Sequence, residues 1–325
     1  MRPGIGILIV IAARLCAQQM PVIHVPVRLV TVPTLVFTEQ DRLIPGLRLR
    51  DFHVLDNGRE QNAAMDTSYE PVSVAVAIQA NRDVREYTRF ISRVGSVVEA
   101  LLVGETGEGA VLAYNSAISM LKPFDSGDFQ SALRRVPASG KQARLIDAGI
   151  RAVELLADRP VSRSRVLLLI GQPMDRGSES KLDTLVEYAE RENVSVYTLT
   201  LPELGQSFVS DTISLQGVSR DERGGYRAGI DIGRLASTVS RAAVAQSARD
   251  PFSVLCAATG GTQIRFQKQR ELEDAISAVG EALRSAYVLS YYTPPAEVGY
   301  HAIKVEVDRP GARTYSRAGY WLGGR

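Results

Sequence analysis

Residues 71–83 have the sequence PVSVAVAIQANRD, and this stretch indicates the architecture of the chain around it. Its seven uncharged, valine-rich residues, 72–78, predict a strand buried on both faces, as in a parallel sheet covered by helices. From Val84 to about Leu101, apolar residues recur every three or four positions, which predicts an amphipathic helix. The stretch therefore predicts the first strand-to-helix unit of an α/β domain.

Two further apolar runs, residues 165–171 and 194–200, predict buried strands that alternate with helical patterns. Residues 109–115 and 118–124 predict a hairpin-like strand pair, and residues 286–294, AYVLSYYTP, predict the last strand of the same sheet. This rhythm is typical of an α/β fold with a doubly wound, mostly parallel sheet and helices on both faces.

Short strands and turns flank this unit on both sides. Residues 18–70 contain the turn Asp56-Asn57-Gly58, a strong hairpin signal, and residues 299–325 contain two alternating strands. Because neither segment has enough strands to cover an apolar face, we expect the two to pack together as one small β domain. The α/β unit then spans residues 71–298, with a Gly-, Ser- and Arg-rich insertion at 203–249.

The first residues have the pattern of a leader. Residues 1–17 contain Arg2, an apolar run at 5–13 that is too short to span a bilayer, and a short exit before Gln18. We expect cleavage after Ala17 and a secreted, periplasmic or cell-envelope protein without a transmembrane segment. A lipoprotein acylated at Cys16 is the alternative.

The charge balance after the leader is neutral. The chain has 38 basic and 36 acidic residues, and the leader removes two arginines and no acidic residue. No basic excess remains for nucleic acid binding. Cys256 is then the only cysteine, so no internal disulfide is available, and its apolar neighbours predict a buried structural thiol.

Several phrases, in a shared order, carry a family resemblance. These are GLRLRDFHVLDNG at 46–58, TGG at 259–261, LRSAYVLSYY at 283–292, and the closing RPG and GY at 309–311 and 319–320. Together they resemble the von Willebrand factor type A-related proteins of acidobacteria over nearly all of the mature chain. The resemblance implies a type A fold with a metal-ion-dependent adhesion site at the top of the sheet, where carboxylate and hydroxyl oxygens hold magnesium.

In open α/β sheets, ligands bind at the carboxyl ends of the strands, so this is also where the residues themselves place a site. The family pattern is D-x-S-x-S after the first strand, a Thr on a second loop and an Asp after the fourth strand. No position of the pattern keeps its residue type, and its positions fall, in chain order, on Gln79, Asn81, Asp83, Gln142 or Ala143, and Gln172.

Amides at Gln79 and Gln172 remove both carboxylates that would hold the ion, which predicts a degenerate site with no metal or other cofactor. The alternative is Mg²⁺ bound by a rearranged set, Asp83, Asp147 and Asp175. The leading hypothesis is a non-enzymatic adhesion module that binds a protein through the sheet-top loops or the insertion, and the alternative is metal-dependent adhesion. An enzyme is not expected, because no HExxH, GxSxG or CxxC pattern and no phosphate-binding loop is present.

Overall fold

The computed structural model describes most of the chain between residues 29 and 322. The described residues are 29–40, 42–66, 71–87, 91, 95, 98–99, 103–124, 128–136, 138–201, 250–265, 276–277, 279–280, 282–293 and 298–322, with the backbone alone at 218–220 and 226–228.

The described elements are sixteen strands, four α-helices and two 3₁₀ turns. The strands are β1 Leu29–Phe37, β2 Phe52–Asp56, β3 Arg59–Glu60, β4 Ala64–Asp66, β5 Val72–Gln79, β6 Glu108–Tyr114, β7 Ile118–Lys122, β8 Ser164–Gly171, β9 Val194–Thr200, β10 Val218–Arg220, β11 Tyr226–Ala228, β12 Gln263–Arg265, β13 Tyr287–Tyr292, β14 Gly299–Val307, β15 Arg313–Tyr315 and β16 Gly319–Leu322. The helices are α1 Phe129–Arg134, α2 Leu145–Ala157, α3 Leu182–Arg191 and α4 Pro251–Thr259, and the 3₁₀ turns are Leu49–Asp51 and Arg82–Tyr87.

The central sheet has six strands in the order β12-β9-β8-β5-β6-β7, parallel except for β7. All eight residues of β5 are buried, and Val76 pairs with Val111 on one side and Leu168 on the other. The predicted central position of this strand and the antiparallel β6–β7 pair are confirmed. The mixed α/β fold with a mostly parallel sheet is therefore as the sequence predicts.

Both faces of the central sheet are covered. Alternate residues of β5 enter two separate cores: Val74, Val76 and Ile78 face α1, while Ala75 and Ala77 face α2, α3 and α4. The small alanines allow α2 to lie close to the strand, because a larger side chain would occupy the space between the layers.

The terminal strands form two more sheets, in the orders β15-β1-β13-β4 and β16-β14-β2-β3. β2 pairs with β14, and β1 pairs with β15, so N-terminal and C-terminal segments share both sheets and one apolar core. The predicted packing of the two segments is confirmed. The hairpin turn also forms as predicted, with positive φ at Asn57 (48°) and Gly58 (77°).

One strand assignment was wrong. β13, predicted as the last strand of the central sheet and inside the 71–298 unit, instead pairs antiparallel with β1 and β4 in a terminal sheet. Leu289 and Tyr291 are buried there, whereas Tyr292 is exposed. This one-sided burial suits a sheet that packs on a single core, whereas a central parallel strand is covered on both faces.

Three predicted segments lie largely outside the described residues: the leader with Cys16, most of the insertion at 203–249, and the middle of the first helix. The described start of that helix is the 3₁₀ turn Arg82–Tyr87, followed by the buried Ile91 and Val98. Within the insertion, β10 and β11 pair antiparallel. In the part of the chain that the structure describes, every helix is too short or too polar to cross a bilayer.

Candidate functional site

Three loops meet at the carboxyl ends of β5, β6 and β8. The loop after β5 is joined to the next by the Arg82 N–H, which donates to the Gly140 carbonyl (3.0 Å). Ala143 and Arg176 form a bridge in which each N–H donates to the other's carbonyl, at 3.0 and 2.9 Å. The predicted site positions in loops 80–83, 139–144 and 172–180 therefore share one surface.

Gln79 and Gln172 lie side by side under this surface, and both are buried. The backbone N–H of Gln172 donates to Gln79 Oε1 at 2.6 Å. Since a backbone N–H can only donate, this bond fixes which way the Gln79 amide faces. Gln79 Nε2 consequently donates to Asn81 Oδ1 (2.9 Å) and lies 3.4 Å from Gln172 Oε1.

Asn81 continues the same chain of hydrogen bonds. Because its Oδ1 accepts from Gln79, its Nδ2 faces two acceptors, Asp83 Oδ2 (3.1 Å) and the Lys141 carbonyl (3.3 Å). The buried amides thus form a directed relay that begins at the Gln172 backbone and ends on the Asp83 carboxylate.

Asp83 connects the relay to solvent through an arginine. Arg176 Nη1 donates to Asp83 Oδ2 at 2.8 Å, and the two side chains are 51% and 35% exposed. The charge that balances this carboxylate is therefore a guanidinium on the neighbouring loop.

The second-loop positions contribute differently from the family pattern. Ala143 is buried and acts through its backbone bridge to Arg176, and its methyl group offers no ligand atom. Gln142 is exposed, and its amide lies over Gly177, where φ is 99° and an added Cβ would be 2.7 Å from Gln142 Nε2. A glycine at position 177 therefore allows both the positive φ and the close approach of the Gln142 amide.

Asp147 and Asp175 hold the third loop against the start of α2. Asp147 accepts from the backbone N–H groups of Glu179 and Ser180 (both 3.0 Å) and pairs with Arg144 at 2.7 Å. Burial opposes ionisation, but these donors outweigh it and lower the pKa of Asp147 to about 2. Asp175 accepts from the Ile146 N–H and the Ser178 hydroxyl.

The alternative metal set is not brought together. Asp83, Asp147 and Asp175 each have their own donors, and within the described residues no group of three His, Cys, Asp or Glu side chains is placed to hold an ion. The amides do not fit Mg²⁺ either, since N–H groups of Gln79 and Asn81 occupy the interior of the cluster and an ion needs oxygen lone pairs there.

Sequence reasoning missed Arg176 and Tyr114. Arg176 lies four residues after Gln172, and a search for the counter-charge of Asp83 in neighbouring loops would have found it. The Tyr114 hydroxyl is buried without a hydrogen-bond partner among the described residues, and desolvation raises its pKa. An added Cβ at Gly171 would lie 2.6 Å from this hydroxyl, so the glycine leaves room for the hydroxyl group.

Other titratable groups lie away from the site. His301, in β14, pairs with the buried Asp56 at 2.9 Å, and His53, in β2, contacts Glu60. Cys256 is buried as predicted, and desolvation raises the pKa of its thiol to about 12.

Among comparisons with known proteins, the search of solved structures finds similarity in fold. No family model and no curated protein matches the chain. The structures that it resembles include von Willebrand type A domains.

The similarity is in backbone arrangement, at low identity. The von Willebrand factor type A protein from Catenulispora acidiphila is 11% identical, with 89% of this chain and 62% of that chain covered and a TM-score of 0.46. The SpRpn10 VWA domain is 11% identical (64% and 93% covered, TM-score 0.38), and the conserved hypothetical protein BatB from Bacteroides thetaiotaomicron is 13% identical (65% and 98%, TM-score 0.40). The fold description rests on the strand order of this chain.

Proposed function

We propose that this chain is a secreted or periplasmic protein-binding module of von Willebrand type A fold that acts without a metal ion and without catalysis. The observation that carries the proposal is the amide relay at the carboxyl ends of β5 and β8. Its buried donors and acceptors satisfy one another, and its one carboxylate, Asp83, pairs with Arg176. Such a cluster is stable without an ion, because the site contains no group of uncompensated negative charge.

Binding through the loops follows from their position. Lys141, Gln142 and Arg176 are exposed on loops that are cross-linked to each other and mounted on a rigid sheet. Loops on a rigid scaffold present side chains in fixed positions and are the common site of recognition. The proposal of a secreted protein rests on the leader pattern at residues 1–17.

The proposed non-catalytic role fits the burial of two reactive groups, Cys256 and His301. The Cys256 thiol is buried with a raised pKa, and His301 is enclosed with Asp56 in the terminal sheets. Neither side chain is exposed for nucleophilic or acid–base work on a bound substrate.

The metal question is tested by calorimetric titration of the purified chain with Mg²⁺ and with Mn²⁺, together with melting curves in chelator. We expect no saturable heat on titration. We also expect no rise in melting temperature when metal is added, whereas an ion that binds only the folded state would raise the melting temperature. Saturable binding that Asp83→Asn abolishes would establish the metal-dependent alternative instead.

The binding proposal is tested with cross-linking to envelope proteins in the presence and absence of chelator. Gln142→Trp places a bulky ring on the loop surface, and Arg309→Trp places the same ring on the exposed β14–β15 turn as a matched control. We expect wild type to be cross-linked to a partner both with and without chelator. The Gln142→Trp variant should lose this cross-link, and the Arg309→Trp variant should keep it. Equal capture by both variants would exclude the sheet-top loops as the binding surface.

A further inference from the structure

We propose that the segment recognised by the sheet-top loops is acidic, and that its carboxylates are bound by a basic rim formed by Arg82, Lys141 and Arg176. This inference rests on the proposed function, since it names the chemistry of the partner at the same surface.

The exposed charges of the three loops are mostly basic. Five of the seven exposed charged residues in segments 80–87, 138–144 and 172–181 are Arg82, Arg85, Lys141, Arg176 and Lys181, and the two acidic ones are Glu86 and Glu179. The acidic residues Asp83, Asp147 and Asp175 of the same region are buried or half-buried and accept hydrogen bonds from loop groups. The chain without its leader is neutral, so this surface departs from the average.

The members of the basic rim are brought together by backbone contacts. The Arg82 N–H donates to Gly140, the residue before Lys141, and the Lys141 carbonyl accepts from Asn81. Arg176 joins the same surface through its bridge to Ala143. Three residues that are distant in sequence thus project from one cross-linked loop cluster.

Arg82 and Lys141 are exposed, and neither forms an ion pair with another described residue. Arg176 is different, because Asp83 holds one end of its guanidinium at 2.8 Å while half of the side chain stays exposed. Because the guanidinium is planar and one of its N–H groups is bound to Asp83, its remaining N–H groups have a fixed direction. Such a pair of parallel N–H donors suits bidentate binding of a carboxylate. The amide relay fixes the Asp83 carboxylate and therefore the direction of this fork.

The rim favours a peptide over a nucleic acid. Single-stranded nucleic acids are bound by basic grooves together with aromatic side chains on which bases stack. The three loop segments contain no exposed aromatic residue on which a base could stack, whereas their basic groups can pair with the side-chain carboxylates of a peptide. An acidic peptide segment is the ligand that the surface fits.

The test uses poly-L-glutamate as the probe, measured by fluorescence anisotropy with the full chain. The site variant combines Arg82→Glu with Lys141→Glu, and the matched control combines Arg42→Glu with Arg309→Glu, two exposed arginines outside the three loops that give the same change in net charge. Far-UV circular dichroism and melting curves establish that both variants fold.

We expect wild type to bind, the site variant to lose affinity by about tenfold or more, and the control to stay within about twofold. Binding should weaken when the salt concentration rises from about 50 mM to about 300 mM, since exposed charges are screened. No binding by wild type, equal binding by the site and control variants, or tighter binding of oligothymidylate would overturn the acidic-partner inference. If Gln142→Trp loses the envelope partner while the charge-reversal variants keep it, the proposed function stands and only the acidic-partner inference is refuted.

Discussion

Gln79→Glu tests the amide relay with a change of one group. The substitution keeps the shape of the side chain and the oxygen that accepts from the Gln172 N–H. It replaces the donor Nε2 with an oxygen that faces Asn81 Oδ1 and Gln172 Oε1, formerly at 2.9 and 3.4 Å. A buried carboxylate would then lie against two acceptors that cannot donate to it in their present orientation.

The cost follows from the hydrogen bonds that are lost. One good donor contact disappears, and a buried acceptor left unsatisfied costs about 1–3 kcal/mol. The second contact is long and contributes little, but the new charge is fully buried, and the described partners of this side chain, Asn81 and Gln172, carry no positive charge. We expect Gln79→Glu to lower the free energy of unfolding by about 3 kcal/mol at neutral pH.

The pH dependence gives an internal check. Burial raises the pKa of the introduced carboxyl above its unfolded value, so the folded state binds the proton more tightly. The destabilisation is therefore full above the raised pKa and shrinks as the pH falls towards the unfolded value of about 4.3. In the protonated form, the O–H can donate to Asn81 as Nε2 does in the wild type.

Urea denaturation at pH 7.5 and near pH 4.5 measures both effects. Gln142→Glu makes the same chemical change at an exposed position of the same surface and should alter stability by less than about 0.5 kcal/mol. A Gln79→Glu variant that matches wild type at neutral pH would refute the donor orientation that the relay requires. Recovery of its stability by Mg²⁺ would show that the loops still admit an ion once a charge is supplied.

Three further outcomes follow from the rest of the molecule. Asp56→Ala should lower the free energy of unfolding by about 3–5 kcal/mol, since the buried carboxylate accepts from His301 and two tyrosine hydroxyls. Tyr320→Phe removes one of those donors and should lower it by about 1 kcal/mol. Near-equal free energies of unfolding for the two variants, measured by denaturation, would contradict this. The stability that Asp147 contributes should be complete above its ordinary pKa of 3.8 and lost as pH falls through about 2, so unfolding free energies of wild type and Asp147→Asn should converge in acid. In a Cys16→Ser background, Cys256 should resist iodoacetamide in the native state and react in urea, and rapid native labelling would contradict its burial.

The central sheet was predictable because its signals are local. The run that forms β5 is uncharged and valine-rich, and each further parallel strand is followed or preceded by a helical period. The turn at Asn57 and Gly58 was predictable for the same reason, since those residue types accept the positive φ that the hairpin requires.

The partner of β13 was not predictable from local pattern. Tyr287–Tyr292 follows a helical pattern, as a strand of the central sheet does, and the choice between sheets depends on contacts far away in sequence. Tyr291 donates to Asp56, 235 residues away, and the Tyr287 hydroxyl donates to the carbonyl of Ile44. These buried or half-buried hydroxyls need acceptors, and strand β2 and the loop between β1 and β2 supply them.

The sheet-top positions were predictable, and their chemistry was not. A motif locates Gln79, Asn81 and Gln172 at the carboxyl ends of β5 and β8, but the direction of each amide depends on one backbone N–H, which no spacing reveals. Arg176 lies outside the family pattern, so only its 2.8 Å contact with Asp83 identifies it as part of the site.

The amides and the arginine together explain how this surface remains ordered. Carboxylates clustered at the buried ends of β5 and β8 would repel one another unless a cation lay between them. Neutral amides remove that repulsion and supply their own donors, so the loops are held by hydrogen bonds between Gln79, Asn81 and Gln172. The remaining carboxylate, Asp83, then needs a single positive charge, and Arg176 provides it from the surface. Fixed donors of this kind are complemented by a carboxylate, and this is the basis on which we propose an acidic partner for the surface.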